Sequence, residues 1–134
     1  MSLALYLLDT NTASYSIKPG YPGLRAKLDG KLPGQLAISA ITEAELRFWI
    51  ANRPQAANVH ILVDAFLRRT KSMPWDSSAS IAYAKLRIDC KNSGKALAEL
   101  DMLIAAHAIA LQATLVTHDR AFSQITGLRT EDWV

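Results

Sequence analysis

The chain has 134 residues, half of them apolar and 20% charged, with 6 Gly, 5 Pro and 1 Cys. That balance excludes a disordered chain, a collagen-like repeat and a disulfide scaffold, and no apolar run reaches the ~20 residues of a membrane helix. The net charge of +3 permits a polyanionic partner without demanding one. The length suits a single domain, 1–134, with a core of its own. The first apolar run is short and lacks a basic flank, so no signal peptide is expected and a cytoplasmic location follows.

Residues 3–8 read as a buried strand, and Asp9-Thr10-Asn11 as the helix cap after it. Residues 18–22 form a Pro/Gly break. Residues 23–29 predict a short helix closed by Gly30 and Pro33-Gly34, and Leu36–Ser39 a second strand. Residues 41–53 predict a helix whose Thr42 and Glu45 fit a capping box. Pro54 opens another, running to Arg69. Residues 71–75 predict an edge-like third strand, where Pro74 is tolerated. Residues 77–92 predict a helix stopped by Gly94. Glu99–Leu111 is an apolar, Ala-rich helix and Thr114–Val116 a fourth strand. A short helix at 121–125 and a last strand at 128–133 close the chain. This alternation predicts an α/β fold, a parallel sheet with helices on both faces. Ligands of such sheets bind beyond the carboxyl ends of the strands.

Four acids stand out against that frame. Asp9 follows the first strand, Glu43 opens the helix after the second, and Asp119 lies just past the fourth. Asp101 shares a helix face with Ala105 and Ala108, which is an unusual place for a charge. Each has a plain structural explanation as well. Asp9 and Asp119 fit helix caps, and Glu43 fits an i,i+4 pair with Arg47. Converging carboxylates would repel, and a divalent ion removes that cost. All-oxygen acidic ligands suit Mg²⁺ or Mn²⁺ rather than Zn²⁺. Such a site neutralises a phosphate and activates water, so phosphodiester hydrolysis is the natural chemistry.

Other residues carry less. Cys90 on a helix reads as a structural thiol, and His60 and His107 as packing or surface residues. His118, between Thr117 and Asp119, could rim a site. Trp49, Trp75 and Trp133 read as packing before they read as stacking platforms. Two basic clusters, Arg68-Arg69-Lys71 and Lys85-Arg87-Lys91-Lys95, divide between solvated faces and RNA contacts.

The motifs are similar to those of a known family. Leu7-Leu8-Asp9-Thr10-Asn11 resembles the opening motif of PIN-domain nucleases, and the segment from Ser39 to Leu46 their second. The segments from Asp101 to Ala108 and from Leu115 to Phe122 resemble the third and fourth. The ending from Gly127 to Trp133 is similar to that of VapC toxins of bacterial toxin–antitoxin pairs. The resemblance implies a three-layer PIN-like fold around a parallel five-stranded sheet. It implies a Mg²⁺- or Mn²⁺-dependent endoribonuclease, with one or two ions held by Asp9, Glu43, Asp101 and Asp119. Thr117 would position a carboxylate or water. It further implies a homodimer held inactive by a VapB antitoxin, with operator DNA bound only through that antitoxin. The tail points to a structured RNA, a tRNA, with the initiator tRNA anticodon loop as the expected target.

The chain departs from the family pattern locally. Trp49 stands where relatives often have Gly, Gln112-Ala113 replaces another usual Gly, and Glu99 adds a nearby acid. Other readings are a PIN-fold RNA-processing nuclease outside a toxin pair and a weakly catalytic RNA-binding module. A receiver-like signalling domain lacks its late Lys, and an Asp-x-Asp phosphatase meets Asn11 where it needs an acid.

Overall fold

Strands and helices alternate along residues 3–134, the part of the chain that the computed structural model describes. Residues 1 and 2, the start of the expected domain, lie outside the described residues. The order is β1 (Tyr6–Leu8), α1 (Thr10–Ile17), α2 (Pro22–Asp29), β2 (Leu36–Ser39), α3 (Ala40–Ala51), α4 (Ala57–Arg69), β3 (Lys71–Met73), α5 (Ser77–Ser93), α6 (Glu99–Leu111), β4 (Thr114–Val116) and β5 (Thr130–Glu131). The sheet runs β3-β2-β1-β4-β5, and every pair is parallel. The expected α/β architecture is therefore present, a five-stranded parallel sheet with helices on both faces.

Alternation along the strands separates two cores. Leu7, Ala37 and Leu115 face one side, where Leu86 and Cys90 of α5 and Ile104, Ala105 and Ala108 of α6 cover them. Leu8, Ile38 and Val116 face the other, against α1, α2, α3 and α4 through Ala13, Leu24, Leu46 and Val63. Each fully buried Leu or Ile contributes about 1.5–3 kcal/mol relative to an exposed one. Burial on both faces explains why the strands read as short continuous apolar runs.

The sheet also fixes where a ligand can sit. From β1 the chain moves to β2 on one side and later to β4 on the other. The crevice between the carboxyl ends of β1 and β4 is thus a topological switch point.

Several element boundaries differ from expectation. β1 starts at Tyr6, not at residue 3, and Leu3 is exposed. Its neighbour β2 begins only at Leu36, after a 3-10 turn at Pro33–Gln35, so earlier residues have no strand to pair with there. The capping box of Thr42 and Glu45 does not form. Ser39 caps α3 instead, its hydroxyl accepting from the Ile41 N–H at 3.1 Å. α4 begins at Ala57 rather than Pro54, because a turn closed by Ala56 N–H to the Arg53 carbonyl comes first. β3 stops at Met73, and Trp75 leaves the sheet to donate its indole N–H to the Leu103 carbonyl at 3.0 Å. The segment expected as a helix at 121–125 is a 3-10 turn, Arg120–Gln124.

Candidate active site

Asp9 is buried at the carboxyl end of β1 and is bonded on both oxygens. Oδ1 accepts the Thr12 N–H at 2.8 Å, capping α1, and Oδ2 accepts the Thr117 hydroxyl at 2.6 Å. The register Leu8↔Val116 sets Asp9 and Thr117 side by side, and the Asp9 N–H bonds the Val116 carbonyl. Thr117 is buried too, and its oxygen accepts the Asp119 N–H at 3.0 Å. One hydroxyl thus ties the carboxylate of β1 to the loop after β4. Asp119 then caps the following turn, Oδ1 accepting the Ala121 N–H at 2.9 Å.

Asp101 comes from the other core. It lies in the first turn of α6, half-buried, and no hydrogen bond or ion pair from the described residues reaches its carboxyl. Burial, and then the negative charges of Asp9, Asp119 and Glu45, push its pKa above the ordinary carboxylate value. Those charges identify its neighbours. Three acids from three elements converge on it.

Glu45 is the acid that the sequence reading missed. It takes the Thr10 hydroxyl on Oε1 at 2.6 Å, and that hydroxyl lies 3.2 Å from Thr42 Oγ1. The Thr42–Glu45 spacing that suggests a capping box is also one helical turn, which puts both residues on the face toward Thr10. Glu43 is two positions earlier and faces elsewhere. Its carboxylate accepts the Arg47 Nε–H at 2.7 Å. The Ser72 hydroxyl first, and Arg47 second, hold its pKa below the ordinary value. The structure therefore does not bring Glu43 into the cluster with Asp9, Asp101 and Asp119. Glu99 is exposed and is not among the charges acting on Asp101.

The histidines divide as their positions suggest. His107 is buried, its Nδ1 2.8 Å from Ser39 Oγ, and burial holds its pKa below the ordinary value. His118 is exposed beside Asp119, and its Nδ1 lies 2.7 Å from Asp132 Oδ2. Cys90 is buried and free, a packing thiol.

The donor set can be tested against a divalent ion. Asp9, Glu45, Asp101 and Asp119 are hard oxygen donors, and none is in an ion pair with a basic residue among the described residues. Hydroxyls and backbone N–H groups orient three of them, which leaves the net negative charge uncompensated. No three His, Cys, Asp or Glu side chains among the described residues already stand at metal-ligand spacing. The Asp101 carboxyl and the second oxygen of the exposed Asp119 carry no hydrogen bond from the described residues, which leaves them for such an ion. The chemistry of the cluster fits Mg²⁺ or Mn²⁺.

Comparison with known proteins identifies the family. The PIN domain model matches residues 6–128. Ribonuclease VapC2 of Rickettsia felis is 31% identical over 131 residues, covering 96% of this chain and 98% of its own. The chain belongs to the PIN-domain family, among the VapC ribonucleases. A tRNA(fMet)-specific endonuclease VapC from Shigella flexneri is 27% identical, covering 96% of this PIN chain and 97% of its own. Among solved structures, VapBC2 from Rickettsia felis bound to a DNA fragment from their promoter superposes with a TM-score of 0.89 at 31% identity, covering 97% of this chain and 99% of the other. DNA-bound VapBC from Salmonella typhimurium gives 0.91 at 28% identity, covering 98% and 100%. The PIN fold expected from the motifs is thus shown by the match and by the sheet order. No helix among the described residues is long and apolar enough to cross a membrane.

Proposed function

We propose that this chain is the toxin of a VapBC pair, an endoribonuclease that hydrolyses an RNA phosphodiester bond. Asp9, Glu45, Asp101 and Asp119 would hold Mg²⁺ or Mn²⁺, with Glu45 in the place that the sequence reading gave to Glu43. The observation that carries this reading is the convergence of four carboxylates, without a basic partner, at the switch point between β1 and β4. When bound, the ion would neutralise the scissile phosphate and lower the pKa of a water.

The protein's own part is positioning. Asp9 is locked by two hydrogen bonds and offers a fixed carboxylate. Thr117 holds Asp9 and the Asp119 loop in one register. Thr10 orients Glu45. Asp101 keeps both oxygens uncommitted at the helix N-terminus of α6.

The relatives support the finer parts of the reading. The Shigella protein is named for tRNA(fMet), so an initiator tRNA is the proposed substrate. The solved neighbours are VapBC complexes with DNA, which supports a VapB-type antitoxin and contact with operator DNA through it. A homodimer and a cytoplasmic location complete the proposal.

The test is cleavage of purified initiator tRNA with Mg²⁺ or Mn²⁺, compared with EDTA and with Asp101→Asn. Discrete fragments that need both the ion and Asp101 are expected. Metal-independent cleavage, or equal cleavage by the variant, would rule out the proposed site.

A further inference from the structure

Trp49 stands one turn beyond Glu45 on the same face of α3, about 6 Å along the helix axis. Its ring gathers two cations. Lys18 Nζ, just past the end of α1, lies 5.4 Å from the ring centroid, and Arg53 Cζ lies 5.5 Å from it. Arg53 is further held by a hydrogen bond to the Trp49 carbonyl at 3.3 Å. Both cations are exposed, and neither is in an ion pair among the described residues. Beside them Tyr15 and Tyr21 stack with centroids 4.6 Å apart, and the exposed Arg25 adds a third charge.

A ring under two cations orders long side chains without neutralising them. What remains is a pair of positioned, uncompensated positive charges, which suits phosphates rather than apolar or basic groups. Through Trp49 they are gathered one helical turn along α3 from Glu45. We propose that Lys18 and Arg53, gathered on Trp49, form a phosphate-holding subsite for the RNA strand, one helical turn along α3 from the acidic cluster. Trp49 is here a positioning residue, acting through the two cations. The proposal rests on the nuclease reading above.

The test measures binding of fluorescently labelled tRNA to the Asp101→Asn protein, in Mg²⁺ and at several salt concentrations. Adding Lys18→Ala and Arg53→Ala together should weaken binding about tenfold and lower the log–log salt slope by about 1.4–1.8, the share of two phosphate contacts. Both residues are exposed, so the double variant should melt with its parent. Trp49→Ala should weaken binding less, since the charges remain, and Trp49→Phe should restore it. An unchanged affinity and slope in the double variant would overturn the subsite and leave the nuclease reading standing. A parent that binds no tRNA would overturn both. Loss of antitoxin capture with RNA binding intact would assign the patch to a protein partner and also overturn the proposal.

Discussion

Glu43 and Glu45 are two residues apart on one helix, yet only Glu45 acts on Asp101. Glu45→Gln should lower single-turnover cleavage by more than ~100-fold, beyond the loss typical of an orienting residue. Glu43→Gln should leave it near wild type, since its partners, Ser72 and Arg47, lie outside the acidic cluster. The reverse order would return the site to the sequence reading. Thr117 makes a different case, because its hydroxyl serves Asp9 and Asp119 together. Thr117→Val should cost about 10–100-fold and raise the Mn²⁺ concentration needed for half-maximal cleavage. Thr117→Ser keeps the hydroxyl and should recover most of both. A variant that merely folds less well would lose amplitude without shifting the Mn²⁺ requirement. Asp9, Thr117 and Asp119 were legible because each follows a strand, where ligands of parallel sheets collect. Glu45 was not, because its partner is Thr10, 35 residues away, and only the packing of α1 on α3 reveals it.

Helix α6 ends on a strained residue. Gln112 has φ of 55°, in the left-handed region, with its N–H on the last turn of α6 and its carbonyl taking the Arg129 side chain at 2.6 Å. Outside glycine that conformation costs roughly 1–2 kcal/mol, while glycine adds about 0.5–1 kcal/mol of unfolded-state freedom. Gln112→Gly should therefore stabilise the protein by up to about 1 kcal/mol, seen as a higher urea midpoint at unchanged slope. A midpoint that stays or falls would show that the Gln112 side chain makes up the strain. The same logic explains what was legible among the elements. Strand and helix order followed from apolar runs and breaks, since each element buries its own face. Helix starts did not, because Ser39 caps α3 only once β2 delivers it, and the Arg53–Ala56 turn delays α4. The central place of β1 lies in no local signal at all, as it follows from pairing with β2 and β4.

At the scale of the whole molecule, the site works against the fold that builds it. Asp101 is pressed by burial and by three like charges, so its pKa in the folded state lies above its unfolded value. Between those two values the folded state binds more protons than the unfolded one. Stability on this account is complete below the unfolded pKa and is lost as pH rises through the folded one. Above the folded value the carboxylate is charged and the full penalty stands. Asp101→Asn removes that charge while keeping the shape, so it should raise the melting temperature of the metal-free protein at pH 7 as it abolishes cleavage. On acidification toward the ordinary carboxylate range the wild type should close the gap, because its Asp101 becomes protonated. A bound cation relieves the same repulsion by another route. At about 100 times its dissociation constant, Mn²⁺ should add ~2.7 kcal/mol to the wild type and markedly less to the variant. Calorimetry on both proteins, with EDTA and with Mn²⁺, measures the four states. Equal melting temperatures without metal, or equal gains with it, would mean that the carboxylates do not share one charge-stressed site.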